Sequence, residues 1–265
     1  MRNRIFSTDS PKAIKADSYG YLNAIMYMAP YTLAGVGNLC PHASAGCKSL
    51  CLGEHSGAAI YYSSVRASRR AKAVRFMKDR AAYLLDVVRE IDSLKRKAER
   101  MRKKLAVRLN GSTDISFEGI SFFIHRDPFG RAIAVTLGQG EGAKTFFGHY
   151  PELDFIDYTK NWNRFRKPLP SNYHLTFSRS EENDDKALTL LDHGVNVAVV
   201  FAGDKPLTWN GFTVIDGDAH DLRHLDPKAG DPVNGHSPSL GGYVIGLSPK
   251  GYKAKRDTSG FVVRP

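Results

Sequence analysis

All three cysteines of the chain lie within twelve residues, and this cluster constrains the chemistry more than any other feature of the sequence. The spacing of Cys40, Cys47 and Cys51 is C-x6-C-x3-C. Because the number of cysteines is odd, a disulfide framework would leave one thiol unpaired. Three neighbouring thiolates suit a soft metal centre, either an iron–sulfur cluster or zinc. The intervening Pro, His, Ser, Gly and Lys residues are typical of a loop rather than of an apolar core.

The spacing favours a [4Fe-4S] cluster over zinc. Structural zinc sites usually carry short knuckles of two cysteines, and only Cys47 and Cys51 are that close in sequence. Zinc would also need a fourth ligand, for which His55 is a candidate and His42 a weaker one. A cubane cluster held by three cysteines leaves one iron open for a small molecule. Free thiols without a metal are the third alternative.

The positive charge of the chain is concentrated in one segment. The net charge is +11, and residues 66–104 hold fifteen Lys or Arg against five Asp or Glu, a net of +10. A concentrated basic face can bind nucleic acid, but Lys and Arg are also good helix formers on a solvated surface. No helix-turn-helix, zinc-finger or RNA-recognition pattern accompanies it. Residues 66–104 are therefore a candidate nucleic-acid surface.

The length and the N-terminal sequence set the expected organisation. At 265 residues the chain can bury a sizeable core, and we expect a single domain over residues 1–265 with a polar lead-in at 1–20. No apolar run approaches the roughly 20 residues that cross a membrane. The N-terminus has no apolar signal-peptide core. We therefore expect no membrane partner and a cytoplasmic, reducing location, which agrees with thiols kept for a metal.

Apolar patterning predicts strands alternating with helices. Residues 58–104 contain no Gly or Pro and repeat apolar residues at three- and four-residue steps, which predicts one long helix or two in series. Residues 115–143 predict an inserted hairpin with strands at 121–125 and 131–137. Other strands are predicted at about 23–28, 105–109, 155–160, 173–178, 195–201, 212–215 and 243–247.

This alternation predicts a parallel α/β arrangement, and we expect a full or partial (β/α) barrel with a long basic helix and an inserted hairpin. In that fold the reacting groups lie at the carboxyl ends of the strands. Polar residues follow successive predicted strands, although any one of them could simply cap a turn. We take Arg108, Asn110, Lys160, Asp218 and Arg223 as candidate catalytic residues lining a pocket over the metal.

The segment after the predicted strand at 212–215 offers a different chemistry. Asp216, Asp218, His220 and Asp221 could ligate a hard metal for hydrolysis, in a domain that zinc stabilises. A polar turn that caps the strand is the simpler explanation.

The order of strand, three-cysteine loop, helix and further β/α units resembles the radical S-adenosylmethionine enzymes. In that superfamily three cysteines hold a [4Fe-4S] cluster after the first barrel strand, and the methionine moiety of S-adenosylmethionine binds the open iron. The resemblance implies that Cys40, Cys47 and Cys51 hold the cluster and that S-adenosylmethionine is the small-molecule ligand. The superfamily's usual spacing is C-x3-C-x2-C, and no clear Gly-Gly-Glu-type stretch follows the second predicted strand here.

A closer resemblance is to a family of largely uncharacterised phage and plasmid proteins. The motifs that carry it are CPHASAGCKSLC followed by Arg66 and Arg69, VRLNGSTDI, VIDGDAHDLRHLDP, IGLSPKG and FVVRP. They span residues 40–265 and imply a mobile-element origin, an iron–sulfur site and a place in the host-cell cytoplasm.

The functional expectation is an iron–sulfur protein with an open iron, acting as a redox or radical-type enzyme on an unknown substrate. The alternative is a nucleic-acid-associated protein in which the metal, iron–sulfur or zinc, is structural.

Overall fold

A computed structural model describes residues 4–233 and 240–264. Its strands are β1 (Phe6–Ser7), β2 (Tyr21–Met26), β3 (Lys104–Arg108), β4 (Phe122–Arg126), β5 (Ala132–Leu137), β6 (Asp154–Thr159), β7 (Tyr173–Ser178), β8 (Val197–Val200), β9 (Thr208–Trp209), β10 (Phe212–Asp216) and β11 (Val244–Leu247). Its α-helices are α1 (Pro11–Lys15), α2 (Ala45–Ser49), α3 (Leu52–His55), α4 (Ala58–Tyr61), α5 (Ser63–Lys78), α6 (Arg80–Arg100), α7 (Phe146–His149), α8 (Asp184–Asp192) and α9 (Tyr252–Lys255). Short 3-10 turns lie at Ala16–Tyr19, Phe117–Gly119, Trp162–Arg166 and Arg223–Leu225.

Within these ranges nine strands form one sheet in the order β1-β2-β3-β6-β7-β8-β11-β10-β9. The strands from β2 to β10 in this order run parallel, while β1 and β9 pair antiparallel at the two edges. The chain leaves β10 and returns as β11 between β8 and β10, so the strand order departs from the chain order. The predicted mixed α/β fold with a mostly parallel sheet is confirmed.

The central strands are covered on both faces. All six residues of β2 are buried, as expected for a parallel strand between two layers. On α6, Tyr83, Leu84, Val87, Val88 and Ile91 are fully buried and recur with helical spacing, so this face of α6 packs on the core.

Residues 58–100 form three helices, α4, α5 and α6, where the sequence predicts one or two. The break between α5 and α6 falls at Asp79, whose backbone is non-helical at φ −141° and ψ 70°. The Asp79 carboxylate accepts a hydrogen bond from the Ala82 N–H. Because a side-chain cap satisfies an N–H that would otherwise lack a partner, a new helix starts here without Gly or Pro.

The predicted hairpin is present as β4 and β5, which form a separate antiparallel sheet. It packs beside α6, where Arg89 Nε donates to the Ala132 carbonyl at 2.8 Å and Arg126 pairs with Asp92 at 2.7 Å.

The first described residues join the core instead of forming only a polar lead-in. Ile5 and Phe6 are buried, and β1 pairs with β2. The Glu90 carboxylate on α6 accepts hydrogen bonds from both backbone amides, at 2.8 and 2.9 Å. Across the described ranges, no helix is both long and apolar enough to cross a membrane. The single-domain assignment stays a prediction.

Candidate functional site

The three cysteines line one cavity of about 200 Å³ beside the carboxyl ends of parallel strands. Cys40 lies on the segment after β2, Cys47 lies on α2, and Cys51 immediately precedes α3. We call this cavity the cysteine pocket. Its polar and charged lining is Tyr31, Cys40, Cys47, Lys48, Cys51, Arg108, Asn110, Ser112, Thr113, Asp114, Tyr158, Thr159, Lys160, Ser178, Ser248 and Lys250.

The cysteine segment is held by a glutamate from another part of the chain. Glu181, after β7, accepts hydrogen bonds from Ser44 Oγ at 2.9 Å and from the Gly46 amide at 2.6 Å. Ser44 in turn accepts from the Cys47 amide and caps α2. A Cβ on Gly46 would lie 2.6 Å from Ser259 Oγ and 2.7 Å from Glu181 Oε1, so a larger residue would displace these side chains from their present positions. Cys47 therefore sits on a short anchored helix, not on the plain loop expected from the sequence.

Two of the thiols, those of Cys40 and Cys51, are kept neutral in this environment. Burial raises the pKa of Cys40 to about 12 and that of Cys51 to about 11, and the neighbouring thiols add to both shifts. Cys40 Sγ lies 3.8 Å from the Ser112 carbonyl oxygen, in line with a thiol donor. Because metals bind the thiolate, metal uptake here would release protons.

The donor set matches a soft metal in its chemistry. Three thiols that face one cavity are the ligands that iron–sulfur clusters and zinc take in proteins. Over the described part of the chain, however, no three His, Cys, Asp or Glu side chains form a group that could hold a metal ion. The cysteines thus share a cavity without forming a preassembled ligand set.

Arg108, at the end of β3, is a buried cation of the cysteine pocket. Its NH1 pairs with Asp221 Oδ2 at 2.7 Å, and its guanidinium lies 4.7 Å from the centre of the Tyr158 ring. Among the described residues, its buried Nε has no hydrogen-bond partner. Arg108 therefore has one unsatisfied donor.

Asn110 shapes the pocket wall instead of facing a ligand freely. Its amide nitrogen donates to the Asp157 carboxylate at 3.0 Å and to the Ile115 carbonyl at 2.9 Å. Its side-chain oxygen accepts from Thr113 Oγ1 and from the Ile115 amide, both at 2.9 Å. Since both ends of the side chain are engaged, Asn110 is a positioning residue for the turn after β3.

Lys160, after β6, contributes a second cation. Its Nζ donates to Ser178 Oγ at 2.8 Å and lies 5.1 Å from the centre of the Phe261 ring. Its backbone amide is fixed by the Asp114 carboxylate at 2.9 Å.

A larger cleft of about 860 Å³ adjoins the cysteine pocket. The two cavities share Leu52, Arg108, Gly111, Leu247 and Lys250. We call the larger one the basic cleft. Its charged lining is Asp9, Lys15, Arg69, Lys72, Arg108, Asp218, Asp221 and Lys250.

A family model described as Gene product 88 matches residues 4–265, almost the whole chain. The chain belongs to the Gene product 88 family. This membership fits the resemblance to phage and plasmid proteins that the sequence motifs indicate. Comparison with curated proteins and with solved structures gave no match.

Neither histidine expected as a fourth zinc ligand lies in the cysteine pocket of this Gene product 88 protein. His42 is exposed and outside the lining. His55 Nε2 lies 3.2 Å from Lys253 Nζ, and burial together with that cation lowers the pKa of His55.

Two further candidate catalytic residues lie outside the cysteine pocket. Asp218 lines the basic cleft, within 3.1 Å of both Lys205 Nζ and Lys250 Nζ. Burial acts to raise the pKa of Asp218, but the hydrogen bonds and cations around it lower that pKa far below its usual value. Arg223 is buried beside Asp226, at 3.2 Å, and lines neither cavity.

The Asp/His turn is used for ion pairs in this Gene product 88 protein. Asp216 pairs with Lys205 at 2.9 Å, and Asp221 pairs with Arg108. His220 packs edge-on against Tyr19 with 4.7 Å between the ring centroids. Asp216 and Asp218 share Lys205, while Asp221 and His220 turn to other partners, which matches the interpretation of the segment as a structural turn.

Three residues of the site were missed by sequence reasoning. Asp157 is an acidic residue within the largely apolar strand β6, and this unusual position is a sequence signal that could have identified it. Phe261 belongs to the C-terminal FVVRP motif and lines the cysteine pocket. Glu181 follows β7 in a polar turn and offers no signal of its own, because its partners are 135 and 137 residues away.

The basic segment of the Gene product 88 chain is divided among several roles. Arg75 pairs with Asp86, Arg89 bonds the Ala132 carbonyl, and Lys95 contacts Glu152. Arg96 and Arg100, on the last turns of α6, are exposed. Several basic side chains of this segment are thus engaged in contacts within the fold. A nucleic-acid surface at residues 66–104 stays a prediction.

Proposed function

We propose that the cysteine pocket binds a [4Fe-4S] cluster through Cys40, Cys47 and Cys51, leaving one iron open, and that the chain is a redox or radical-type enzyme. The observation that carries the proposal is that all three thiols of the chain line a single cavity. A bound cluster would supply one-electron transfer or Lewis acidity at this place.

The residues around the thiols suit an anionic or polar ligand. Arg108 and Lys160 place two cations on the cavity wall, and Arg108 Nε has no partner in the part of the chain that the structure describes. Charge-assisted hydrogen bonds from such groups are stronger than neutral ones and orient a carboxylate well. The proposal therefore includes S-adenosylmethionine, whose methionine end carries a carboxylate, as the first ligand to test.

The proposal also includes a partial barrel. β2 and β10 are six strand spacings apart, which is roughly 29 Å in a flat sheet. Yet residues beside them meet, since Lys15 Nζ donates to the Asp218 carbonyl at 2.5 Å and Tyr19 packs on His220. A curved sheet whose concave side holds the segment after β10 accounts for these contacts.

The experiment is to measure iron, sulfide and zinc in protein purified without oxygen, together with its visible spectrum. About four irons and four sulfides per chain are expected. The Cys47→Ala variant should lose them, whereas Ser49→Ala, an exposed change on the same helix, should retain them. Stoichiometric zinc without iron would overturn the redox proposal, and so would a folded chain that takes up neither metal. A positive result makes S-adenosylmethionine cleavage the next assay.

The second candidate is a nucleic-acid-associated protein with a structural metal site, iron–sulfur or zinc. The observation that favours it is the exposed pair Arg96 and Arg100, for which the described residues provide no carboxylate within ion-pair distance. Binding to phosphates would weaken steeply with salt. Retention on immobilised DNA over a salt series, with Arg96→Gln and Arg100→Gln combined, tests this surface. Equal retention with and without the two changes would exclude it.

A further inference from the structure

We propose that the basic cleft binds the phosphate group of a small molecule through Arg69 and Lys72 of α5. This inference goes beyond the proposed function, because it depends on no metal in the cysteine pocket. It rests on the placement of these two cations, on the absence of a described carboxylate within ion-pair distance of either, and on the residues of the cleft wall around them.

One face of α5 forms a wall of the cleft. Ser64, Ser68 and Lys72 follow one another at four-residue steps, and all three line the cavity together with Arg69. Residues four apart on a helix lie on the same side. The wall therefore presents two hydroxyl groups and one cation in a row, with a second cation, Arg69, beside them.

The two cations are held by neutral groups. Arg69 NH1 donates to the Gly53 carbonyl, and its guanidinium lies 4.8 Å from the centre of the Tyr27 ring. Lys72 Nζ donates to the Ile5 carbonyl at 3.0 Å. No described carboxylate lies within ion-pair distance of either cation. Since a guanidinium has five N–H donors and an ammonium three, donors remain for a ligand.

The neighbouring charges make this arrangement costly without an anion. Both side chains are half-buried, and they lie three residues apart on one helix. Burial, together with the charge of Arg69 and against the opposing effect of Glu90, lowers the pKa of Lys72 to about 8. Glu90 is itself bonded to the amides of Ile5 and Phe6. Two desolvated like charges are typical of a site that an anion completes.

The carboxylates of the cleft face other cations. Asp218 is paired with Lys205 and Lys250, and Asp221 is paired with Arg108. Asp9 is largely exposed and lies 3.9 Å from an Arg4 nitrogen. These groups therefore form no ion pair with Arg69 or Lys72, whose charges are offset only at longer range by Glu54 and Glu90.

A phosphate fits this wall better than a carboxylate does. A phosphate monoester carries nearly two negative charges and three acceptor oxygens, which matches two cations with two hydroxyl donors. The cleft volume of about 860 Å³ lies within the usual range for small-molecule sites. Because Arg108 lines both cavities, a ligand anchored on α5 lies in the cavity next to the cysteine pocket.

Binding of inorganic phosphate, pyrophosphate and AMP is measured by calorimetry at constant ionic strength set with chloride. The main variant is Ser64→Asp, which puts a carboxylate on the cleft wall in the first turn of α5, where an acidic residue favours the helix. Its matched control is Ser63→Asp, at an exposed neighbour outside the cleft lining. Affinity should fall about tenfold or more for Ser64→Asp, which is about 1.4 kcal/mol, and by less than about twofold for Ser63→Asp.

A second pair of variants each removes a positive charge instead of adding a negative one. Arg69→Gln should weaken phosphate binding, whereas Arg70→Gln, an exposed change on the same helix, should leave it unchanged. Far-ultraviolet circular dichroism and metal content are measured on each sample, so that loss of fold, metal and phosphate binding are separate results. Displacement of AMP by inorganic phosphate supports the proposal.

Three results would overturn the inference. The first is that the unaltered chain binds none of the three probes. The second is that both Asp variants reduce affinity equally, because binding would then follow overall charge. The third is that AMP binds but inorganic phosphate does not displace it.

Discussion

Arg108 at the end of β3 and Asp221 after β10 form a buried ion pair, with NH1 and Oδ2 2.7 Å apart and side chains 10% and 6% exposed. Tyr158 supports both partners, since its ring lies against the guanidinium and its hydroxyl lies 3.3 Å from Asp221 Oδ1. The pair joins segments that are 113 residues apart in sequence. It also stands between the two cavities, because Arg108 lines both.

Replacing Arg108 by Met should destabilise the fold by roughly 3–5 kcal/mol, since a buried carboxylate would lose its cation. The measurement is urea unfolding at neutral pH. The double change Arg108→Met with Asp221→Leu should recover much of the loss, because it removes the stranded charge as well. A single variant within about 1 kcal/mol of the unaltered chain would contradict the importance of the pair.

Replacing Glu181 by Ala should loosen α2 and the cysteine segment. The Gly46 amide and the Ser44 hydroxyl would each lose an acceptor, at about 1 kcal/mol per hydrogen bond. Hydrogen exchange of the Gly46 amide should become faster, and reconstituted protein should retain less metal. Glu182→Ala is the control, because Glu182 makes only a 3.4 Å contact with the Ala45 amide. Equal exchange at Gly46 in both variants would count against the anchoring role of Glu181.

Replacing Gly111 by Ala should destabilise the wall shared by the two cavities. The new Cβ would lie 2.6 Å from the Met26 carbonyl oxygen, which is backbone of β2 and cannot rotate away. Overpacking of this kind costs about 1–3 kcal/mol. At Gly119 a Cβ would meet nothing within 4 Å, so Gly119→Ala is the matched control. Comparable melting temperatures for the two variants would contradict this prediction, because they would mean that the β2 backbone moves to accommodate the new methyl group.

Asp157 should give stability a specific pH dependence. Burial raises the pKa of Asp157 to about 6, although Arg108 and hydrogen bonds from Asn110 oppose the shift. A carboxyl whose folded pKa exceeds its unfolded value of about 3.9 favours folding when protonated, so that contribution is lost between about pH 4 and pH 6. The two-unit shift corresponds to about 3 kcal/mol.

Unfolding free energies of the unaltered chain and of Asp157→Asn, compared from pH 4 to pH 7, test this dependence. The unaltered chain should lose stability relative to the variant as the pH rises through this interval. A difference between them that stays constant with pH would rule out a raised pKa at Asp157.

Much of the sheet could be predicted because its strands are local apolar runs. The prediction at 173–178 matches β7, and the other predicted strands of the main sheet fall within about two residues of those observed. The two-residue strands β1 and β9 were missed, since such short pairs are determined by neighbouring strands and not by their own pattern. The place of β11 between β8 and β10 depends on long-range pairing, which no local pattern encodes.

The part of the candidate site that lies at the carboxyl ends of parallel strands could be predicted. Arg108, Asn110 and Lys160 converge with the cysteines because they follow neighbouring parallel strands at the same edge. Arg223 could not be placed in this way. It lies in a 3-10 turn that packs back toward β6 and β7, and the direction of that turn depends on buried contacts far away in sequence.

The wall of the cysteine pocket has a consequence for the order of assembly. Its residues run from Pro30 to Phe261, and Arg179 holds the Phe261 carbonyl oxygen at 3.1 Å. Contacts of such high sequence separation form late, because the loops between them must close first. The cavity therefore has its whole wall only after the segment that carries Phe261 has docked. A group that depends on every part of that wall is held completely only at this late step.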